Sequence, residues 1–246
     1  MRELIDKLKF AIQRNPIFSV LILILIFESI MRTKGNIFDW LYDKIIILPG
    51  IIIGITCHEF AHAFASYKLG DPTPKYQNRL NFNPISHFSG LGFICLILLG
   101  FGWGRPVEIN PNYYKKRRRD EFIVAIAGVA TNLLIAFILA FVWKFTVGQF
   151  YASGNVNNGI EILSDVIVQA IAINVILMAF NLMPIPPLDG FNALTQIFNL
   201  QRYEWWYKFY NYGQWIMVFI IAFNMQSYFV MPIYRATMKY IYLIMS

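Results

Sequence analysis

Apolar residues run through this chain in long blocks rather than in the short alternations of half-buried strands and surface helices. A helix rises 1.5 Å per residue, so roughly 20 apolar residues are needed to cross a bilayer core about 30 Å thick. Blocks approaching that length fall at 16–31, 44–67, 122–147, 162–183 and 215–231, and each is expected to form a transmembrane helix. The first follows a basic start (Arg2, Lys7, Lys9, Arg14) and lacks a small-residue cleavage site, which reads as an uncleaved anchor. The second is interrupted by His58, Glu59 and His62. The fourth breaks at Pro184, Pro186 and Pro187, because proline cannot continue a helix, and the fifth stops before Pro232. Residues 234–245, with Arg235 and Lys239, form a short sixth span or an interfacial helix. The apolar stretch 91–103 is too short for a span and has Gly90, Gly92, Gly100, Gly102 and Gly104 in or around it. It reads as a re-entrant or β-hairpin-like element between the second and third spans. Non-helical backbone at membrane depth is tolerated only against protein or a wet cavity, so this element should pack beside a site. The expected fold is therefore a membrane all-α, polytopic bundle of about five to six transmembrane helices. It forms one domain over 1–246, with an anchor at 1–43, a core at 44–191 and further spans at 192–246.

Composition strengthens this reading. Of 246 residues, 57% are hydrophobic and 14% charged, and the mean hydropathy is +0.50. Charges this sparse cannot cover a soluble surface of this size, which excludes disordered chains and ordinary cytosolic enzymes. The net charge of +7 sits in short tracts between apolar runs, suiting topology signals and anionic headgroups, with the lipid bilayer rather than nucleic acid as partner. Arg105 and the tract Lys115, Lys116, Arg117, Arg118 and Arg119 load one loop with basic residues, whereas the loop 148–165 has none. The amino terminus and the 104–121 loop are accordingly expected on the cytoplasmic side, although the loop 32–44, expected outside, carries three basic residues. Cys57 and Cys95 lie in apolar stretches without CxxC spacing and read as packing residues. Glu28 and Lys144, near span ends, read as snorkelling side chains. Trp205, Trp206, Tyr207 and Tyr210 read as an interfacial aromatic belt.

The chemistry concentrates in His58-Glu59-Phe60-Ala61-His62, inside an apparent span. On a helix, positions i and i+4 project two imidazoles onto one face at chelating separation, and the intervening glutamate can serve as general base toward an attacking water. The alternative, two buried histidines and a snorkelling carboxylate, places an ionisable group in lipid without purpose. Catalytic zinc usually has three protein ligands, so a third is required. His87 and the carboxylates are the candidates, and Asp189 stands out because it follows the proline run that ends the fourth span. Two imidazoles and a carboxylate suit zinc, though other divalent metals accept such a set.

The HExxH of residues 58–62, together with Asn181-Leu-Met-Pro-Ile-Pro-Pro-Leu-Asp-Gly190, resembles the site-2 protease family of intramembrane zinc metalloproteases. The likeness runs from about 54 to 191 and includes Asp71-Pro-Thr-Pro74, Leu80-Asn-Phe-Asn-Pro84 and Gly102-Trp-Gly-Arg-Pro-Val107. It points to the compact bacterial branch, with no PDZ-like or CBS-like insertion. The resemblance implies one zinc ion per chain held by His58, His62 and Asp189, with Glu59 as the catalytic base. It also implies that Asn181 helps to hold substrate or the oxyanion. Ala127-Gly-Val-Ala-Thr-Asn132 departs from the family pattern, having Val129 where similar proteins carry proline; Asn132 is kept as a substrate or oxyanion candidate, with an interhelical hydrogen bond as its alternative. His87 is either a second-shell or gating residue near the metal or a structural loop histidine.

The expected reaction is hydrolysis of peptide bonds in or near the membrane, and the resemblance implies transmembrane segments of membrane proteins or signal-peptide remnants as its substrates. The substrate helix must unwind, and the stretches 76–83 and 105–110 are candidate edges for its capture. The expected setting is a prokaryotic plasma membrane, with the active site near the cytoplasmic side. A rival reading is a non-catalytic membrane protein that binds metal or transmembrane helices. Glu59 argues against it, since a metal holder needs only ligands.

Overall fold

The computed structural model describes residues 36–90, 92 and 104–246. The expected first span at 16–31, with Glu28 and the basic amino-terminal residues, lies outside the described residues. So does the expected element at 91–103 apart from Gly92, including Cys95. Among the described residues the chain is helical. An isolated antiparallel bridge between Phe88 and Gly104 closes the base of the 88–104 segment.

Helix α1 (Ile37–Lys68) is 32 residues long, roughly 48 Å at the standard rise and longer than a bilayer core. It starts seven residues before the expected 44, because the Asn36 side chain caps it by accepting from Phe38 N at 3.0 Å. Its end is a Schellman turn: Gly70 has φ +109°, and the amides of Asp71 and Gly70 reach back to the Ser66 and Tyr67 carbonyls. Helix α2 (Arg117–Phe145) is followed without a long break by the short helix Val147–Ser153. Helix α3 (Asn158–Asn181) is capped by Asn157, whose Oδ1 accepts from Ile160 N at 3.1 Å. Three helical segments among the described residues, Ile37–Lys68, Arg117–Ser153 and Asn158–Asn181, are long and apolar enough to cross a membrane.

These three helices pack against one another. At Gly50 an added Cβ would lie 2.6 Å from Ala170 Cα, and at Gly54 it would lie 2.6 Å from Leu177 Cδ1. The Gly50-Ile-Ile-Ile-Gly54 spacing thus lets α1 and α3 meet almost backbone to backbone, the usual means of close helix contact in lipid. Val129, Ala136, Ala140, Ile167, Ile171 and Val175 fill the α2–α3 seam, closed by Met238 and Ile241.

After α3 the proline run leads into the short amphipathic α4 (Asp189–Phe198), then α5 (Glu204–Ala222) and α6 (Gln226–Met245). Here the structure corrects the sequence reading. The break expected before Pro232 falls instead at 223–225, and Pro232 sits inside α6. Asn224 takes a left-handed φ of 54°, and the Met225 and Asn224 amides bond to the Ile220 and Ile221 carbonyls in a second Schellman turn. The segments 215–221 and 226–245 meet at 71° and count as one bent span at most.

The two expected strand edges are also corrected, since neither 76–83 nor 105–110 forms a strand. Asn78 adopts a left-handed φ of 54° in a turn. The amides of Arg105, Val107 and Asn110 are taken by His87 O, Glu59 and Asp71. Trp206 departs from the belt reading as well: its indole N–H donates to Thr195 Oγ1 at 3.0 Å and its ring stacks on Phe191.

Candidate metal centre

His58 and His62 stand one turn apart on α1, with ring centroids separated by 4.6 Å. Their Nε2 atoms face each other at 3.0 Å. Asp189, the first residue of α4, brings Oδ2 to 3.2 Å from His58 Nε2 and 3.3 Å from His62 Nε2. Two ligands bound tetrahedrally at about 2.0–2.1 Å lie roughly 3.3 Å apart, so the three atoms already stand near the separation that zinc imposes. They form the only group of three or more His, Cys, Asp or Glu side chains gathered closely enough for a metal among the described residues.

The tautomers follow from the partners. His62 Nδ1 lies 2.7 Å from the Val124 carbonyl, which can only accept, so Nδ1 carries the proton. His58 Nδ1 lies 2.6 Å from Asn132 Oδ1. The Asn132 amide nitrogen donates to Gly54 O at 3.1 Å and to Asn174 Oδ1 at 3.0 Å, which fixes Oδ1 as the acceptor of the His58 proton. In the neutral imidazoles both Nε2 atoms are therefore acceptors, and they face the buried Oδ2 of Asp189 at 3.2 and 3.3 Å. Three such groups converging suit a metal ion, and the donor set fits zinc. On α2, a Cβ at Gly128 would stand 2.5 Å from His62 Nε2 and 2.7 Å from His58 Nε2, so only glycine leaves that side of the cluster open.

Asp189 is placed by the fold-back of residues 182–188. A side chain on Gly190 would collide with the Leu182 and Met183 carbonyls, which accounts for the glycine after the aspartate. The far end of α4 is held by Arg118, whose guanidinium donates to Gln196 O at 2.6 Å and to Ile197 O at 3.0 Å. A cation at a helix carboxyl terminus also complements its dipole. Gln196 Nε2 in turn donates to Glu121 at 2.5 Å. The basic tract read as a lipid and topology signal thus contributes a clamp on the element that carries Asp189.

Glu59 turns its carboxylate to the 104–107 segment, where Oε2 accepts from Val107 N at 3.2 Å. Asn132 is fully buried and bonded to His58, α1 and Asn174. Asn181 donates to Leu177 O of its own helix at 2.9 Å. His87 is fully buried, outside the metal cluster, with Nε2 2.7 Å from Asn81 O. Burial, with the Arg79 charge adding to it, holds its imidazole below the ordinary histidine range and outweighs the Asn81 contact.

Several participants were not singled out from sequence. Asn174 was recognisable as one of three amides, with Gln169 and Asn181, in an apolar span, and Arg79 as a cation between two turns. The contributions of Val124 O and Gly128 depend on helix register and leave no signal in residue type.

The sequence model of peptidase family M50 matches residues 46–224. The chain is 36% identical over 167 residues to "Putative zinc metalloprotease YwhC" of Bacillus subtilis, covering 64% of this chain and 73% of that protein. It is 30% identical over 166 residues to "Putative zinc metalloprotease Rip2" of Mycolicibacterium smegmatis, covering 63% of this chain and 58% of the relative. A 28% identical stretch of 156 residues matches the Rip2 protein of Mycobacterium tuberculosis, 56% of whose length is covered. No solved structure matches. The family match takes in α1 from Ile46 onward, α2, α3, α4 and α5, and so every residue of the His–His–Asp cluster; the chain belongs to peptidase family M50, the site-2 protease family of zinc metalloproteases.

Proposed function

We propose that this protein is an intramembrane metalloprotease that hydrolyses peptide bonds in or near the transmembrane segments of other membrane proteins, signal-peptide remnants among them. The observation that carries the reading is the convergence of two imidazole Nε2 atoms from α1 and a buried carboxylate oxygen from the start of α4 within 3.3 Å. His58, His62 and Asp189 are the ligands of one zinc ion per chain, and Glu59 is the general base. When bound, zinc supplies Lewis-acid polarisation and a lowered pKa for water. Glu59 takes the proton of the attacking water and returns it to the leaving amine. Asn132 holds the His58 ring in its ligating tautomer, and Val124 O does the same for His62. Asn181 remains the candidate donor to the oxyanion.

The expected re-entrant or β-hairpin-like element at 91–103 lies, apart from Gly92, outside the described residues. With the expected span at 16–31 and the bent α5–α6 pair, the bundle reaches five to six membrane segments. The Lys115–Arg119 tract begins α2 beside the end of α4, while the turn at 154–157 beyond α2 lacks Lys and Arg. This supports an active site near the cytoplasmic side of the membrane, and the bacterial relatives support a prokaryotic plasma membrane.

The test is metal content of the detergent-purified chain beside His58→Ala and Asp189→Ala, with cleavage of a model transmembrane peptide by wild type and Glu59→Gln. The expected result is about one zinc per chain, lost in both ligand variants. Glu59→Gln should keep the zinc and lose cleavage. Zinc that survives Asp189→Ala unchanged overturns the ligand set. Cleavage that persists in Glu59→Gln overturns the base, and a zinc-loaded wild type that holds transmembrane peptides without cutting them supports the non-catalytic alternative.

A further inference from the structure

Arg79 is 4% exposed, an unusual place for a guanidinium, whose charge is costly to desolvate without partners. Its Nη1 donates to Ser86 O at 2.5 Å, its Nη2 donates to Arg105 O, and Nη2 also lies 3.8 Å from Glu59 Oε2. One buried side chain therefore links the helical turn Pro84–His87, the 104–107 backbone and the glutamate of the HExxH motif.

The same backbone segment holds Glu59 directly. Val107 N donates to Oε2 at 3.2 Å, and Oε1 lies 3.1 Å from where a Cβ would stand on Gly104. Arg105 N bonds to His87 O at 2.7 Å, and the buried His87 ring is tied to Asn81 O. These contacts make a shelf of main chain against the carboxylate, with Arg79 as its charged brace. The bidentate geometry of guanidinium toward two carbonyls fixes the shelf in a way that the single point charge of lysine cannot match. Burial keeps Arg79 from touching a substrate, so any effect on the reaction passes through Glu59.

We propose that Arg79 is a positioning residue for peptide hydrolysis, bracing the 104–107 backbone so that the Glu59 carboxylate keeps a single orientation. The proposal rests on the reading of Glu59 as general base. A base misplaced by a fraction of an ångström slows proton transfer while leaving substrate contacts alone, so the loss should fall on kcat rather than on KM.

Arg79→Gln and Arg79→Lys in the full detergent-purified chain test this against wild type on one transmembrane model peptide. Zinc content and unfolding midpoint are measured for each variant. Per zinc-loaded molecule, Arg79→Gln should lower kcat by about tenfold or more with KM within about twofold. Arg79→Lys, which restores the charge without the fork, should recover part of that loss. Unchanged kcat per zinc-loaded molecule in both variants, with only a lower unfolding midpoint, overturns the proposal and makes Arg79 a folding residue. Failure of both variants to load zinc overturns it in the same way, and a rise in KM at constant kcat overturns it in favour of substrate binding. A wild type that fails to cut, or a Glu59→Gln variant that cuts, defeats the underlying reading of Glu59, and the controls distinguish that failure from one specific to Arg79.

Discussion

Removing the Asn132 side-chain amide leaves the buried His58 Nδ1–H without its acceptor, and takes from Gly54 O and Asn174 Oδ1 the donor that Asn132 supplies. Partners of this kind typically contribute 10- to 100-fold in metal affinity. Asn132→Ala should weaken zinc binding by about that factor in a chelator competition titration, with helix content by circular dichroism retained. The loop after α1 gives a second residue-scale expectation. Asp71 is fully buried and accepts from Ser66 Oγ at 2.8 Å, Thr73 N at 2.9 Å and Asn110 N at 2.7 Å. Burial alone would raise its carboxyl, and these donors outweigh it, holding the group below the ordinary carboxylate range. A carboxyl depressed in the folded state contributes stability at neutral pH that is lost as the pH falls below about 4. In thermal unfolding, the gap between wild type and Asp71→Asn should therefore be widest near neutrality and should narrow on acidification. A gap independent of pH would show that the Asp71 charge plays no part. At this scale the convergence of His58, His62 and Asp189 could be expected from the sequence, because metal chemistry needs particular residue types at particular spacings. The sequence leaves Asn132 between a substrate or oxyanion role and an interhelical hydrogen bond, because its partners, the His58 ring, the Gly54 carbonyl and the Asn174 side chain, all lie on other helices.

Helix α4 shows how a short element depends on its neighbours. Ten residues are too few for a stable isolated helix in water. It is held by Arg118 on its final carbonyls, by Gln196 to Glu121, and by Phe191 against Trp206. Arg118→Met removes donors to two carbonyls at an exposed position and should cost about 1 kcal/mol. Because Asp189 begins the same helix, the variant should also lose zinc faster under a chelator, whereas Lys115→Met, at an exposed position ahead of α2, should not. The long helices were visible in the sequence, since a bilayer demands a length that composition reveals. Their ends were displaced by caps that hydrophobicity does not register: Asn36 before α1, Asn157 before α3 and the left-handed Asn224 between α5 and α6. Pro232 misled for a related reason. Proline removes one amide, and the carbonyl freed in the preceding turn belongs to Tyr228, which is 83% exposed; a dedicated turn seven residues earlier set the break instead.

Over the whole molecule, the membrane class and the metal chemistry could be read directly, whereas the bracing around them could not, because it consists of backbone atoms and of residues distant in sequence. Asn132 concentrates that long-range order: from α2 it bonds to α1 at Gly54, to the His58 ring and to Asn174 of α3. A single amide is thus the knot where three membrane helices are tied, and it lies one hydrogen bond from a ligand of the proposed ion. Rotating any of these helices about its own axis breaks the knot, so the centre acts as a strain gauge for the bundle. A lipid environment or a bound helix that twists the bundle would register there as a change in grip on the metal before any helix had unwound.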